Sequence, residues 1–387
     1  MFGGTIMVET NNSKVVLAEK RERNYGIDIL RILSMFMVTV LHFCGYSGIG
    51  ETTDTGIPFY VGSAFLVVCY GAVNIFALIS GYVMYGSKIK YNRIVSLWFQ
   101  VVFYSAVLSV AEKWIYDIPI NLSIFMPVTF STFWYFQAYF LMFFFIPLYN
   151  EIINRFSDKT LFKFLCIGIL IFCLFSNFAK MSGKDILGLK SGYGFLWLSF
   201  CYIVGAFIKK NKDRLSKISN RTCWLIICIS ELINYLSYVL LFNVSGPESL
   251  YIVPKYIFVN YTSVTVFIPA ICILIIFSRI KVNRGKTVIK FFSSTAFGVY
   301  IIQTHTLIWN HYIVQYHTFL KNPNQWTSIP LLIVGVVALY LSATFMDYFR
   351  ILIFRLLHID TLGKLFCRLL KKVINAAKRP FRKYFQT

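Results

Sequence analysis

The stretch that decides the fold is Asn24-Tyr25-Gly26-Ile27-Asp28-Ile29-Leu30-Arg31-Ile32-Leu33-Ser34-Met35-Phe36-Met37-Val38-Thr39-Val40-Leu41-His42. It is apolar enough to cross a bilayer, yet it holds Asp28, Arg31 and His42. Ionisable side chains at bilayer depth are costly, so they face a bundle interior or a watery cavity and serve a function there. Arg31 and His42 are eleven positions apart. At about 100° per residue that is three turns plus roughly 20°, which puts both on one helix face. Asp28, three positions before Arg31 on that face, partly neutralises it. A rise of about 1.5 Å per residue separates the two positions by roughly 16 Å, half of a hydrocarbon core. One face thus offers a cation near one membrane surface and an imidazole deep towards the other.

The rest of the chain agrees. Of 387 residues, 57% are hydrophobic and only 14% charged, which places the chain among polytopic membrane proteins. Apolar runs predict spans at 26–46, 59–84, 94–111, 131–150, 161–179, 192–208, 222–242, 257–278, 290–312 and 329–354. Ten-residue alternation, the mark of a membrane barrel, is absent. The predicted fold is all-α: about ten transmembrane helices in one bundle. Residues 1–25 form an expected N-terminal cytoplasmic segment, 26–356 the transmembrane domain, and 357–387 a basic amphipathic cytoplasmic tail. The first 23 residues are polar without an apolar core, so the first span is the expected insertion signal.

The net charge of +22 is a matter of topology. With the N-terminus inside, 31 of the 38 Lys and Arg residues fall in cytoplasmic segments, six fall outside and Arg31 lies within a span. The positive-inside rule therefore puts both termini in the cytoplasm, and a nucleic-acid partner is not indicated. In the tail, Leu362, Leu365, Phe366, Leu369 and Val373 recur at helical spacing beside Lys364, Arg368, Lys371 and Lys372. Such a helix is expected to lie on anionic inner-leaflet lipids. The nine cysteines lie mostly within apolar runs without metal-site spacing, so no metal and no disulfide framework is expected.

The Arg31-to-His42 spacing, preceded by Asn24-Tyr25-Gly26-Ile27-Asp28, resembles the acyltransferase 3 family of integral-membrane acyltransferases that O-acylate bacterial surface polysaccharides and other extracytoplasmic glycans. Four further stretches carry the likeness in the same order: Asn74 through Ser80-Gly81-Tyr82, Phe133-Trp134-Tyr135-Phe136-Gln137-Ala138-Tyr139-Phe140, Gly192-Tyr193 through Gly205-Ala206, and Ser294 through Phe297-Gly298-Val299-Tyr300. The resemblance implies a ten-helix bundle, an acyl-CoA donor (acetyl-CoA being the expected one) and a glycan acceptor. Two departures stand out. Lys90-Tyr91-Asn92-Arg93 occupies the place of an Arg-x-x-Arg, and an ammonium cannot make the bidentate phosphate contact of a guanidinium. Gln303 follows Ile302 where relatives often carry His, which leaves open whether His305 substitutes.

Acylating an oxygen from a thioester needs a base for the incoming hydroxyl and a hold on the donor. His42 and Arg31 are the catalytic candidates. A neutral imidazole can take the hydroxyl proton, and formation of an acyl-imidazole is the competing route. Arg31, Arg93 and Lys90 are the candidates for holding the donor's phosphates. Trp134, Gln137 and Tyr139 are expected to line an acceptor cleft, while Asp28, Asn74, Ser80 and Tyr82 are expected to be structural polar groups. Against these stand plainer readings: a hydrogen-bonded core histidine at His42, an Asp28–Arg31 structural pair, and an interfacial aromatic belt at Trp134 and Tyr139. Glu231, mid-span, needs a partner that the sequence does not name, and Asp347 with Arg350 forms a structural pair.

The sequence therefore points to a multi-pass O-acetyltransferase of the bacterial inner membrane, acting on a surface polysaccharide or its lipid-linked precursor. A non-enzymatic transporter or flippase is the rival, since buried Arg and His also suit substrate pathways. No matching pair of broken spans supports it.

Overall fold

A computed structural model describes residues 22–46, 56–130, 133–181, 184–244, 254–321 and 325–378. Residues 1–21 of the expected N-terminal segment and 379–387 of the tail lie outside them. Helix makes up 81% of the structure, with no strand among the described residues.

The helices, in order, are α1 (Tyr25–Tyr46), α2 (Ile57–Cys69), α3 (Ala72–Met84), α4 (Asn92–Tyr116), α5 (Trp134–Arg155) and α6 (Asp158–Lys180). Then follow α7 (Phe195–Lys210), α8 (Asn220–Leu240), α9 (Val264–Ser278), α10 (Lys286–Thr304), α11 (Gln325–Leu356) and α12 (Ile359–Lys378). Each predicted span overlaps at least one of these helices. Seven stretches are long and apolar enough to cross a membrane on their own, with α2 and α3 counted together as Ile57–Met84. The other three are α7 and α9, with 16 and 15 residues, and α10, which begins and ends on polar residues.

Two predicted spans are interrupted. The 59–84 span turns at Tyr70 and Gly71 between α2 and α3. The 290–312 span stops at Thr304, where extended backbone at His305 opens a second helical segment, 306–321. Apolar periodicity reports burial and is blind to such breaks, because the residues on either side stay apolar.

α1 is the central helix, packed against α2, α3, α9, α10 and α11. Glycines set how close its surroundings come. A Cβ on Gly26 would stand 2.1 Å from the Phe277 carbonyl oxygen, so the start of α1 touches the backbone of α9. The crossing of α3 and α7 is tighter: a Cβ on Gly81 would lie 1.9 Å from the Tyr202 oxygen, and one on Gly205 2.0 Å from the Leu78 oxygen. In lipid, where no water is expelled between helices, such close approach is the main source of association.

Polar anchors complete the frame. The fully buried Asn74 donates to the Tyr261 carbonyl (2.8 Å) and accepts from the Trp197 indole (2.9 Å), joining α3 and α7 to the loop before α9. Ser80 bonds the Phe76 carbonyl within its own helix, and Tyr82 carries the Lys209 ammonium over its ring at 4.7 Å. Asp347, fully buried in α11, accepts from Gln100 (2.9 Å) and Tyr104 (3.0 Å) of α4 and pairs with Arg350 (2.8 Å). α12 packs on α4 and leaves Leu362, Leu365, Phe366 and Leu369 exposed.

Candidate active site

The first turn of α1 is charged. Asn24 caps it by accepting from the Ile27 N–H (3.2 Å) and is itself pinned to the Ser278 carbonyl (2.8 Å). Asp28, 4% exposed, then serves two guanidiniums: that of Arg31 at 3.0 Å, one turn on, and that of Arg23, which also reaches the Ser293 hydroxyl at 3.1 Å. Tyr139 of α5 lies within electrostatic reach of both Arg31 and Arg93, and its hydroxyl meets the Met84 sulfur at 3.6 Å. The fold thus gathers Arg31, Arg93 and Tyr139 at one end of the bundle. Lys90 is exposed just before α4, where its carbonyl accepts the Arg93 N–H.

Further along α1 the same face opens into a cavity of about 560 Å³, lined from this helix by Met35, Val38, Leu41, His42 and Gly45. That volume lies within the ~300–1,000 Å³ range of small-molecule sites. Its walls are aromatic. Trp134 and Tyr135 come from α5, Tyr300 from α10, and Tyr193, Tyr256 and Tyr261 from the segments before α7 and α9. Trp309 stands edge-on to His42, centroids 5.0 Å apart. Tyr300 also accepts the Tyr135 N–H at 3.1 Å, which fixes the start of α5 against α10.

Within this apolar shell two side chains keep a buried polar atom that makes no hydrogen bond among the described residues: His42 at Nδ1 and Tyr135 at its hydroxyl. Buried polar atoms are paired as a rule, so the unpaired phenol in this cavity marks where a ligand's polar atom belongs. Met35 and Tyr135 line the chamber one turn along α1 and α5 from Arg31 and Tyr139 respectively.

A family model described as an acyltransferase domain matches residues 24–346. The chain belongs to the acyltransferase 3 family. The match begins at the cap of α1 and runs nearly to the end of α11, so it takes in both the guanidinium cluster and the chamber. The protein is accordingly a multi-pass membrane acyltransferase. No curated protein and no solved structure matches the chain.

Of the three residues expected in an acceptor cleft, Trp134 lines the acyltransferase's chamber. Gln137 instead donates to the Val128 carbonyl (2.8 Å) and ties α5 to the loop before it, while Tyr139 sits with Arg31 and Arg93. Tyr135, Tyr300 and Trp309 are the site residues that sequence reasoning passed over. The first two stand in the quoted motif stretches, whereas nothing in the sequence near Trp309 links it to His42.

A second, more polar cavity of about 200 Å³ adjoins the first across Thr306, which lines both. Glu112, 6% exposed, accepts from the Thr306 hydroxyl (2.8 Å) and has His311 at 3.9 Å, itself stacked on Tyr116. His305 also lies here, with Nε2 at 3.3 Å from the Ser109 hydroxyl. Its Nδ1 accepts the Leu307 N–H (3.2 Å), capping the segment that follows. A neutral ring with Nδ1 as acceptor carries its proton on Nε2, so His305 donates to Ser109 and does not act on it as a base. His305 lines this second cavity and not the chamber. Among the described residues no three His, Cys, Asp or Glu side chains cluster as a metal site would require. Glu231 keeps one carboxylate oxygen buried without a partner, with Asn234 its polar neighbour.

Proposed function

We propose that this acyltransferase is an O-acetyltransferase that moves an acetyl group from acetyl-CoA to a hydroxyl of a bacterial surface polysaccharide or of its lipid-linked precursor. The observation that carries the proposal is the His42 imidazole lining an aromatic chamber, eleven residues along α1 from an arginine cluster. The donor's phosphates bind near Arg31 and Arg93 on the cytoplasmic side, with the exposed Lys90 as an outer contact. Its pantetheine arm runs up the bundle past Met35 and Tyr135, over the roughly 16 Å that separate Arg31 from His42. Met35 suits this passage, since an unbranched thioether changes rotamer at little cost. In the chamber the sugar lies against flat aromatic walls that include Trp134, a common way of burying a ligand's apolar face while its hydroxyls meet a few polar groups.

His42 then acts as general base. The sugar O–H breaks, its proton passes to the imidazole, and the oxygen bonds to the thioester carbonyl carbon. When the C–S bond breaks, the imidazolium returns the proton to sulfur, so acetyl ester and free CoA leave with His42 neutral again. Tyr135, which lines the same chamber, donates to the oxyanion that forms between these steps. The proposal sets the chain in a bacterial inner membrane with both termini in the cytoplasm and α12 on the anionic inner leaflet, its Lys364 and Arg368 toward the headgroups.

The test is the acetyl content of the glycan isolated from cells carrying His42→Ala or Arg31→Ala, with labelled acetyl-CoA and purified protein as its in vitro counterpart. Loss of acetylation in both variants at normal protein levels is expected. Full acetylation in either would remove that residue from the mechanism, and absence of any transfer or hydrolysis of label by the wild type would point to transport instead.

A further inference from the structure

The chamber's histidine has a neighbour that the scheme above does not use. Gln303, fully buried in the last turn of α10, faces α1. Its Nε2 lies 3.7 Å from the Met35 sulfur, and Met35 precedes His42 by two helical turns on the cavity-lining face. The Gln303 side chain also lies within interacting reach of the His42 ring. Each of the two side chains keeps one buried polar atom that makes no hydrogen bond among the described residues: Oε1 of Gln303 and Nδ1 of His42.

The chemistry of the three groups fixes how they pair. A thioether sulfur can only accept, so the amide must turn its NH₂ toward Met35. That leaves the carbonyl oxygen, which also can only accept, on the histidine side. The imidazole therefore has to supply the proton. Since a neutral imidazole carries one, its other nitrogen becomes the acceptor.

We propose that Gln303 is a positioning residue that holds His42 in the Nδ1–H form through its side-chain oxygen, keeping the Nε2 lone pair for the acceptor's hydroxyl. This rests on the reading of His42 as the base. It adds which nitrogen works and what sets it. An amide does this differently from a carboxylate. It orients the ring without bringing a second charge into the bilayer, so the base stays neutral until it takes the substrate's proton.

The experiment reads the tautomer directly. Protein labelled with ¹⁵N at its histidines is reconstituted in lipid nanodiscs, and the His42 ring signals are assigned by their loss in His42→Ala, one of five histidines in the chain. Wild type is expected to show a protonated Nδ1 and an unprotonated Nε2. Gln303→Met keeps the side chain's length and shape but removes the acceptor, so it should give a mixture of the two forms. Gln303→Glu restores an acceptor oxygen and should return the proton to Nδ1. In parallel, kcat for Gln303→Met should fall about 10- to 100-fold with KM for acetyl-CoA unchanged, the usual scale for losing a group that orients a working histidine. A wild-type ring protonated on Nε2, or a Gln303→Met ring with the wild-type tautomer, overturns the assignment. The tautomer is measured without turnover. Acetylation surviving in His42→Ala alongside the expected spectra would therefore refute the catalytic role of His42 and leave the Gln303 contact standing.

Discussion

The crossing of α3 and α7 gives a prediction whose size follows from two distances. Alanine at position 81 puts a methyl 1.9 Å from the Tyr202 carbonyl oxygen, and alanine at 205 puts one 2.0 Å from the Leu78 oxygen, whereas ordinary contact begins at 3.4 Å. Both neighbours are helix backbone and cannot rotate away, so either substitution forces the helices about 1.5 Å apart against a close-packed interior. Overpacking on this scale costs about 1–3 kcal/mol, and we expect about 2 kcal/mol for Gly81→Ala and for Gly205→Ala. The strain is shared, however. Once the first methyl has pushed the helices apart, the second enters space already opened, so the double variant should lose clearly less than the sum of the singles. Gly363→Ala, where the added carbon meets nothing closer than 3.7 Å, is the control and should be close to neutral. Thermal unfolding in detergent, followed by helical signal, measures all four. Additive losses, or singles no worse than the control, would refute the account of the glycines as spacers between two backbones.

Three further outcomes follow from the same structure. His42→Ala should lower glycan acetylation by about 10²- to 10⁴-fold, the usual contribution of a general base, with unfolding temperature near wild type; glycan mass spectrometry checks it. Tyr135→Phe removes a hydroxyl that bonds nothing in the protein, so stability should hold while transfer of label from acetyl-CoA drops about tenfold or more, as for loss of an oxyanion donor. Asp347→Ala leaves Arg350, 11% exposed, without its carboxylate and strips Gln100 and Tyr104 of their acceptor, so we expect about 3–5 kcal/mol of destabilisation in the same unfolding assay.

Much of this was legible in the sequence because helices impose a period. The Arg31-to-His42 spacing placed two polar groups on one side of α1, and that side does carry the cavity lining. Long apolar runs marked the helices. What the period could not convey was which neighbour each face meets. Trp134, Gln137 and Tyr139 sit within two turns of α5, yet one lines the chamber, one holds a loop and one joins the arginines. Tyr139 points about 140° to 160° away from the other two around the axis. Trp134 and Gln137, three residues apart, share a face and differ in depth along it, and a motif of adjacent letters conceals both. The breaks at Gly71 and His305 were hidden for a related reason: the first is a local turn of the backbone and the second an extended residue with a side-chain cap, and neither depends on apolarity. The motif glycines were visible as letters, but only the partner backbones at 1.9–2.1 Å explain them.

One carboxylate shared by two guanidiniums at the start of α1 leaves a surplus of positive charge where the helix enters the bundle. Arg23 and Arg31 repel across that corner, and Asp28 restrains both. An anion arriving there relaxes the repulsion as it binds, so recognition and local stabilisation become the same event. A second carboxylate would settle the charge and blunt the attraction. Under the proposed function, that uneven sharing of one carboxylate is what draws the donor's phosphates to this end.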